Sequence, residues 1–301
     1  MEEKKNLMSL KDFVSGSVAG IVQVLLGQPL DIVKVRMQTK PDIYKSPLDT
    51  AKSILKNEGI SAFYKGTLSP LIGISFCVAI QFGSNEIAKN YFSNRNLSLK
   101  NSSKLEIKDY IYCGMFAGAC NSLVISPVEL LRIQMQVQTN TGSEKSKYTG
   151  TIDCARKIFS SNGFKGIYQG YSATLFREVP AYAVYFGLYE SLMGLSEKKY
   201  GNRKDIPLLK VMTYGALSGL FLWISTFPHD VIKSYIQADD PKNRKYNSIV
   251  STSKLIYKEK GLGGFFKGLT PCLIRAPPIN AATFLTFEMV QKFLKRLDTP
   301  Q

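Results

Sequence analysis

A ten-residue phrase occurs three times in this chain: PLDIVKVRMQ from Pro29, PVELLRIQMQ from Pro127 and PHDVIKSYIQ from Pro228. Each copy carries a proline, then an acid, a base and a glutamine at the same offsets. The glycine pairs Gly16/Gly20, Gly114/Gly118 and Gly215/Gly219 stand at one fixed distance before the three prolines. Self-similarity without insertions marks one structural unit copied three times. A glycine-aromatic signature closes the middle of each unit: EGISAFYKG from Glu58, NGFKGIYQG from Asn162 and KGLGGFFKG from Lys260. A mostly apolar segment follows each signature, so a unit reads as long helix, short helix, long helix.

The repeats span residues 10–95, 108–197 and 208–296, and we read 1–301 as a single pseudo-symmetric domain. Residues 13–30, 68–85, 110–128, 179–188 and 211–228 carry no charge, and about 20 apolar residues cross a hydrocarbon core. In lipid, helices associate by close backbone approach, which the three GxxxG pairs supply. The chain therefore reads as an all-α membrane protein. Its formal net charge of +16 calls for anionic surroundings. The basic residues are dispersed through the repeats and match no nucleic-acid-binding pattern, so lipid or an anionic solute fits better.

Residues three and four apart share a helix face. Asp31, Lys34 and Gln38 form one stripe, as do Glu129, Arg132 and Gln136, and Asp230, Lys233 and Gln237. Charges at membrane depth face the bundle interior and pair.

These residues resemble the signature of the mitochondrial carrier family, and all three copies match. The resemblance implies six transmembrane helices around a central cavity, three short matrix helices and residence in the inner mitochondrial membrane. It also implies a matrix gate pairing Asp31 with Arg132, Glu129 with Lys233 and Asp230 with Lys34. Gln38, Gln136 and Gln237 would brace those pairs. The family's opposite, cytoplasmic gate places an acid and a base near the ends of the even helices. Here it reads Glu86 with Lys89, Glu190 with Met193 and Glu288 with Gln291, so two bases are missing. A weak cytoplasmic gate, and a substrate-free protein open to that side, are expected.

Aligning the even helices on Phe82, Phe186 and Phe284 puts Gly73, Arg177 and Arg275 at one level, followed by Ile74, Glu178 and Ala276. An arginine fork can clamp a carboxylate, and Glu178 can hold a cationic end. Arg177, Glu178 and Arg275 are therefore the expected substrate contacts for a ligand bearing a carboxylate and an amine. The strings REVPAYAVYFGLYE and LIRAPPINAATFLTFE resemble the carnitine/acylcarnitine and basic amino acid branch. Tyr182, Tyr185 and Trp223 are candidates to face the cavity, where a quaternary ammonium would meet an aromatic face.

No catalytic or metal constellation is expected. His229 is the single histidine, and the five cysteines show neither metal spacing nor a disulfide framework. Lys65 and Lys267, beside helix starts, resemble the family's cardiolipin-binding positions, and cardiolipin is the expected bound lipid. The overall expectation is a monomeric exchanger of small amine-bearing carboxylates, such as carnitine, acylcarnitine or an amino acid. A carrier of nucleotides or keto acids, and a soluble three-repeat helical adaptor, are the alternatives.

Overall fold

The structure is a computed structural model that describes residues 2–102, 104–139, 147–241 and 243–296. Among the described residues it holds nine α-helices, three per repeat. The first repeat contributes α1 (Glu2–Thr39), α2 (Pro47–Glu58) and α3 (Leu68–Lys100). The second contributes α4 (Ile107–Val137), α5 (Thr151–Ile167) and α6 (Tyr171–Tyr200). The third contributes α7 (Leu208–Ala238), α8 (Ile249–Lys260) and α9 (Leu269–Arg296).

The six long helices have 28 to 38 residues. At about 1.5 Å rise per residue even α9 reaches about 42 Å, beyond a hydrocarbon core of about 30 Å. By length and composition α1, α3, α4 and α7 can each cross a membrane. α6 and α9 have the length, and they carry the three charged residues singled out for substrate, Arg177, Glu178 and Arg275. Large apolar side chains on the outer faces, among them Leu26, Phe76, Phe116, Phe176, Phe221 and Phe293, are exposed. A belt of that size has to be covered by lipid or a partner.

The short helices start at identifiable caps. The Ser46 hydroxyl accepts from the Asp49 amide ahead of Pro47, and Ser248 and Ser251 cap each other reciprocally at α8. Each short helix packs on the end of the odd helix of its own repeat, giving three equivalent small cores. Ile54, Ile158 and Ile256 occupy the same place in each, and Thr50, Cys154 and Thr252 lie one turn before them. All six are essentially inaccessible.

The glycine that ends each aromatic signature explains how the repeats close into a ring. Gly66, Gly170 and Gly268 have φ of 80°, 78° and 85°, a region that favours glycine. Each also touches the next repeat. A Cβ at Gly66 would stand 2.9 Å from the Arg132 carbonyl, one at Gly170 2.8 Å from Gln237, and one at Gly268 3.1 Å from the Lys34 carbonyl.

The GxxxG pairs do not behave alike. A Cβ at Gly114 or Gly118 would strike the α6 backbone at Tyr182 or Glu178, and one at Gly20 would meet Ile74. Gly16, Gly215 and Gly219 have nothing within 4 Å of such a Cβ. The expected close approach is therefore complete only between α4 and α6. α7 and α9, though consecutive long helices of one repeat, hardly meet. The short-helix end of the molecule is packed shut while the opposite end gapes at this seam.

Candidate functional site

At the short-helix end the three prolines carry their odd helices toward a common centre. Residues 31–38 of α1 and 230–237 of α7 form unbroken buried runs apart from half-exposed edges, and Lys233 keeps only 2% of its surface. Charges there must be paired, because an uncompensated buried charge is very costly. Asp31 of α1 meets Arg132 of α4, Glu129 of α4 meets Lys233 of α7, and Asp230 of α7 meets Lys34 of α1 at 2.6 Å. The three ion pairs thus run around a ring of three helices. Lys34 also lies 4.9 Å above the centroid of Trp223 and 5.4 Å from that of Phe227.

Only one of the three glutamines expected to brace these pairs does so. Gln38 donates to Asp230 at 3.1 Å. Gln237 is turned to the Ser126 carbonyl and the Thr174 hydroxyl, at 3.5 and 3.3 Å, with its side chain packed against Gly170. Gln136 is fully buried and neither of its side-chain amide atoms finds a hydrogen-bond partner among the described residues. Its place beside Arg132 is taken by Gln28, whose Oε1 accepts from Arg132 at 2.6 Å.

The residues singled out on the even helices touch this ring. Arg275 of α9 binds Asp31. Arg177 of α6 reaches Glu129 at 3.1 Å, its neighbour Glu178, and Asp230 at 3.6 Å. Lys34, Arg132, Arg177, Lys233 and Arg275 face Asp31, Glu129, Glu178 and Asp230, one more cation than acids. A cavity of about 150 Å³ opens beside them, lined by Gln23, Asp31, Gly73, Cys77, Glu129, Arg132 and Arg275. Arg275 therefore borders open space, whereas Glu178 is 5% exposed and lies between α4 and α6, where Asn121 donates to it at 3.4 Å. Tyr182 also turns away from the cavity, accepting from Asn121 at 3.2 Å. Tyr185 stacks on Tyr189.

Among the described residues the opposite end forms no comparable ring. Glu86 is exposed, Lys89 stands 5.7 Å from the Tyr110 centroid, and Glu288 pairs with Lys292 one turn along at 3.7 Å. Glu190 is not left without a base, contrary to the expectation from Met193. Arg203, in the connection to α7, grips it with two bonds of 2.8 and 3.1 Å. That connection folds back over the end of α6, where the spacing within α6 alone could not reveal it.

Sequence reasoning also missed a clamp at the closed end. Fully buried Arg36 binds Glu58 with both nitrogens and donates to the Gln136 carbonyl at 3.1 Å, while Lys65 reaches Glu58 at 2.6 Å. In the second repeat Gln134 replaces Arg36 and donates to the carbonyls of Gln237 and Asp239, both at 2.8 Å. In the third, Tyr235 stands there and meets Lys260 at 2.8 Å. A signal existed, since all three follow their prolines at one offset, but the residue types differ.

Comparison with known proteins agrees with this architecture. A family profile described as "Mitochondrial carrier protein" matches residues 5–96, 103–200 and 204–298. The Saccharomyces cerevisiae "Mitochondrial glycine transporter YMC1" is 41% identical, covering 96% of this chain and 93% of that protein. The Schizosaccharomyces pombe "Glutamate/glycine mitochondrial carrier ymc1" is 40% identical over 96% of each. The rat "Mitochondrial carnitine/acylcarnitine carrier protein" is 34% identical over 97% of each. With three repeats, six long helices and a ring of paired charges, the chain belongs to the mitochondrial carrier family and is a small-solute transporter of the inner mitochondrial membrane, not an enzyme.

Proposed function

We propose that this carrier exchanges small amino acids, in the size range of glycine and glutamate, working as a monomer by alternating access. The observation that carries the reading is that Arg275 and Arg177 are bound to the acids of the ion-pair ring itself. A substrate carboxylate competes with Asp31 for Arg275 and with Glu129 for Arg177. Its ammonium can then be taken by the acids so released, Glu178 among them. Binding rearranges the groups that seal the matrix side, with no intermediate residue needed to carry the signal. The excess of one cation favours a ligand whose carboxylates at least balance its amines.

Energies are of matching scale. Removing one partner of a buried ion pair costs on the order of 3–5 kcal/mol, and binding at millimolar to micromolar affinity contributes roughly 4–8 kcal/mol. Opening without substrate is then rare, which favours exchange over leak. The cavity of about 150 Å³ and the absence of a side chain at Gly73 suit a compact zwitterion. The activities named for the two yeast relatives point the same way. Carnitine is the second reading, supported by the rat relative. Tyr182, however, faces α4, and Trp223 already carries the Lys34 cation over its ring, which disfavours a second cation there. Cardiolipin contact at the starts of α3 and α9 would rest on backbone amides and Lys267, because the Lys65 ammonium is committed to Glu58.

Counter-exchange in proteoliposomes tests the reading, with glycine, glutamate, ornithine, lysine, carnitine, an acylcarnitine, a nucleotide and a keto acid as paired solutes. Glycine or glutamate exchange is expected, with Arg275→Ala and Glu178→Gln lowering it about 10- to 100-fold, as lost hydrogen bonds to charged groups do. Nucleotide or keto acid transport, or indifference to both substitutions, would overturn the substrate assignment. Fast uptake without internal substrate would remove obligatory exchange.

A further inference from the structure

We infer that Gln28, rather than Gln136, braces the Arg132–Asp31 pair and ties it to the turn of Tyr64, Lys65 and Gly66. The proposal deepens the gate reading above and rests on it. Gln28 has no accessible surface, and both ends of its amide are used. Oε1 accepts from Arg132 at 2.6 Å, on the same guanidinium nitrogen that binds Asp31, and Nε2 donates to the Lys65 carbonyl at 2.9 Å. A buried amide with both ends satisfied fixes whatever it joins. Gln136, at the offset where the signature puts a brace, meets no hydrogen-bond partner among the described residues with either amide atom.

The turn that Gln28 reaches is itself anchored. Lys65 extends its ammonium 2.6 Å to Glu58, which binds Arg36, and Gly66 lies against the Arg132 backbone. Gln28 thus connects the ion pair to the start of α3. Arg132 cannot leave Asp31 without either releasing Gln28 or carrying the turn with it. The corresponding residues are Ser126 and Phe227 in the other repeats, so the link exists only at the joint of the first and second repeats. Gln28 is a positioning residue for the gate and touches no substrate.

The test is the ratio of uniport to counter-exchange in proteoliposomes, using glycine as tracer, or carnitine if the wild-type protein moves only that. A brace that is lost lets the gate open unloaded, so Gln28→Leu is expected to raise the ratio about tenfold, the worth of a buried hydrogen bond to a charged group. Gln28→Glu keeps the acceptor for Arg132 but cannot donate to the Lys65 carbonyl, so its ratio should fall between wild type and Gln28→Leu. Gln136→Leu should change it less than Gln28→Leu. If Gln28→Leu fails to fold, Gln28→Asn, one methylene short of Arg132, carries the same expectation. A larger rise with Gln136→Leu than with Gln28→Leu, or no rise with Gln28→Leu or with Gln28→Asn, overturns the proposal. Arg132→Gln separates the two levels: a ratio unchanged by that substitution sinks the gate reading itself, whereas a rise there without one at Gln28 sinks only the brace.

Discussion

Asp31 holds two arginines from different helices, Arg132 of α4 and Arg275 of α9, so a single carboxylate serves both the seal and the candidate binding site. Asp31→Asn should accordingly damage both, raising uniport and lowering exchange, whereas Arg275→Ala should lower exchange without raising uniport. Proteoliposome fluxes measured in both modes distinguish the two patterns. A second prediction concerns Cys154, in the small core between α4 and α5. Burial pushes its thiol up to about 12. The thiolate is the reactive form, so Cys154 should resist maleimide at pH 8 in the folded protein and react once it is unfolded, as peptide mapping would show. The residues legible beforehand were those repeated in kind: Asp31, Glu129 and Asp230 with their bases. Gln28, Arg36, Asn121 and Arg203 act in one repeat only, and comparison among repeats is blind to them.

Among the elements, α2 is tied to α1 by the buried Glu58–Arg36 clamp. Burial raises the Glu58 carboxyl, but Arg36 and Lys65 outweigh it and hold it below its ordinary value. A group with a lowered folded value adds stability above its unfolded value, and that stability is lost as pH falls through the folded one. The melting temperature of the detergent-solubilised protein should therefore fall below about pH 4.5, and Glu58→Gln should flatten that fall. Arg36→Ala should cost about 3–5 kcal/mol, as removing one partner of a buried pair does. Gly66→Ala forces a side chain into both a left-handed backbone and the Arg132 carbonyl, and should destabilise by more than about 1 kcal/mol. Element identity was legible because caps, glycines and periodicity are local. The contacts of the GxxxG pairs were not, since close approach depends on what lies opposite, and opposite Gly215 and Gly219 nothing does.

At the level of the whole molecule, three near-equivalent joints close the short-helix end, while α7 and α9 hardly meet. The threefold plan could be read from the phrase, and the inequality of the joints could not, because it arises from substitutions at positions the phrase leaves variable. A cavity lined by Gln23 and closed only below should be reachable from the cytoplasmic side. A cysteine at Gln23, in a background without the native five, should react with a membrane-impermeant maleimide added on that side and be shielded by transported substrate. Labelling from the matrix side alone would contradict the orientation. The Lys34 ammonium above Trp223 has a practical consequence. Trp223 is the chain's single tryptophan, and when Lys34 leaves Asp230 a positive charge leaves its ring face. Intrinsic fluorescence of the unlabelled protein therefore reports on one joint of the seal, and a stopped-flow emission trace can time its opening.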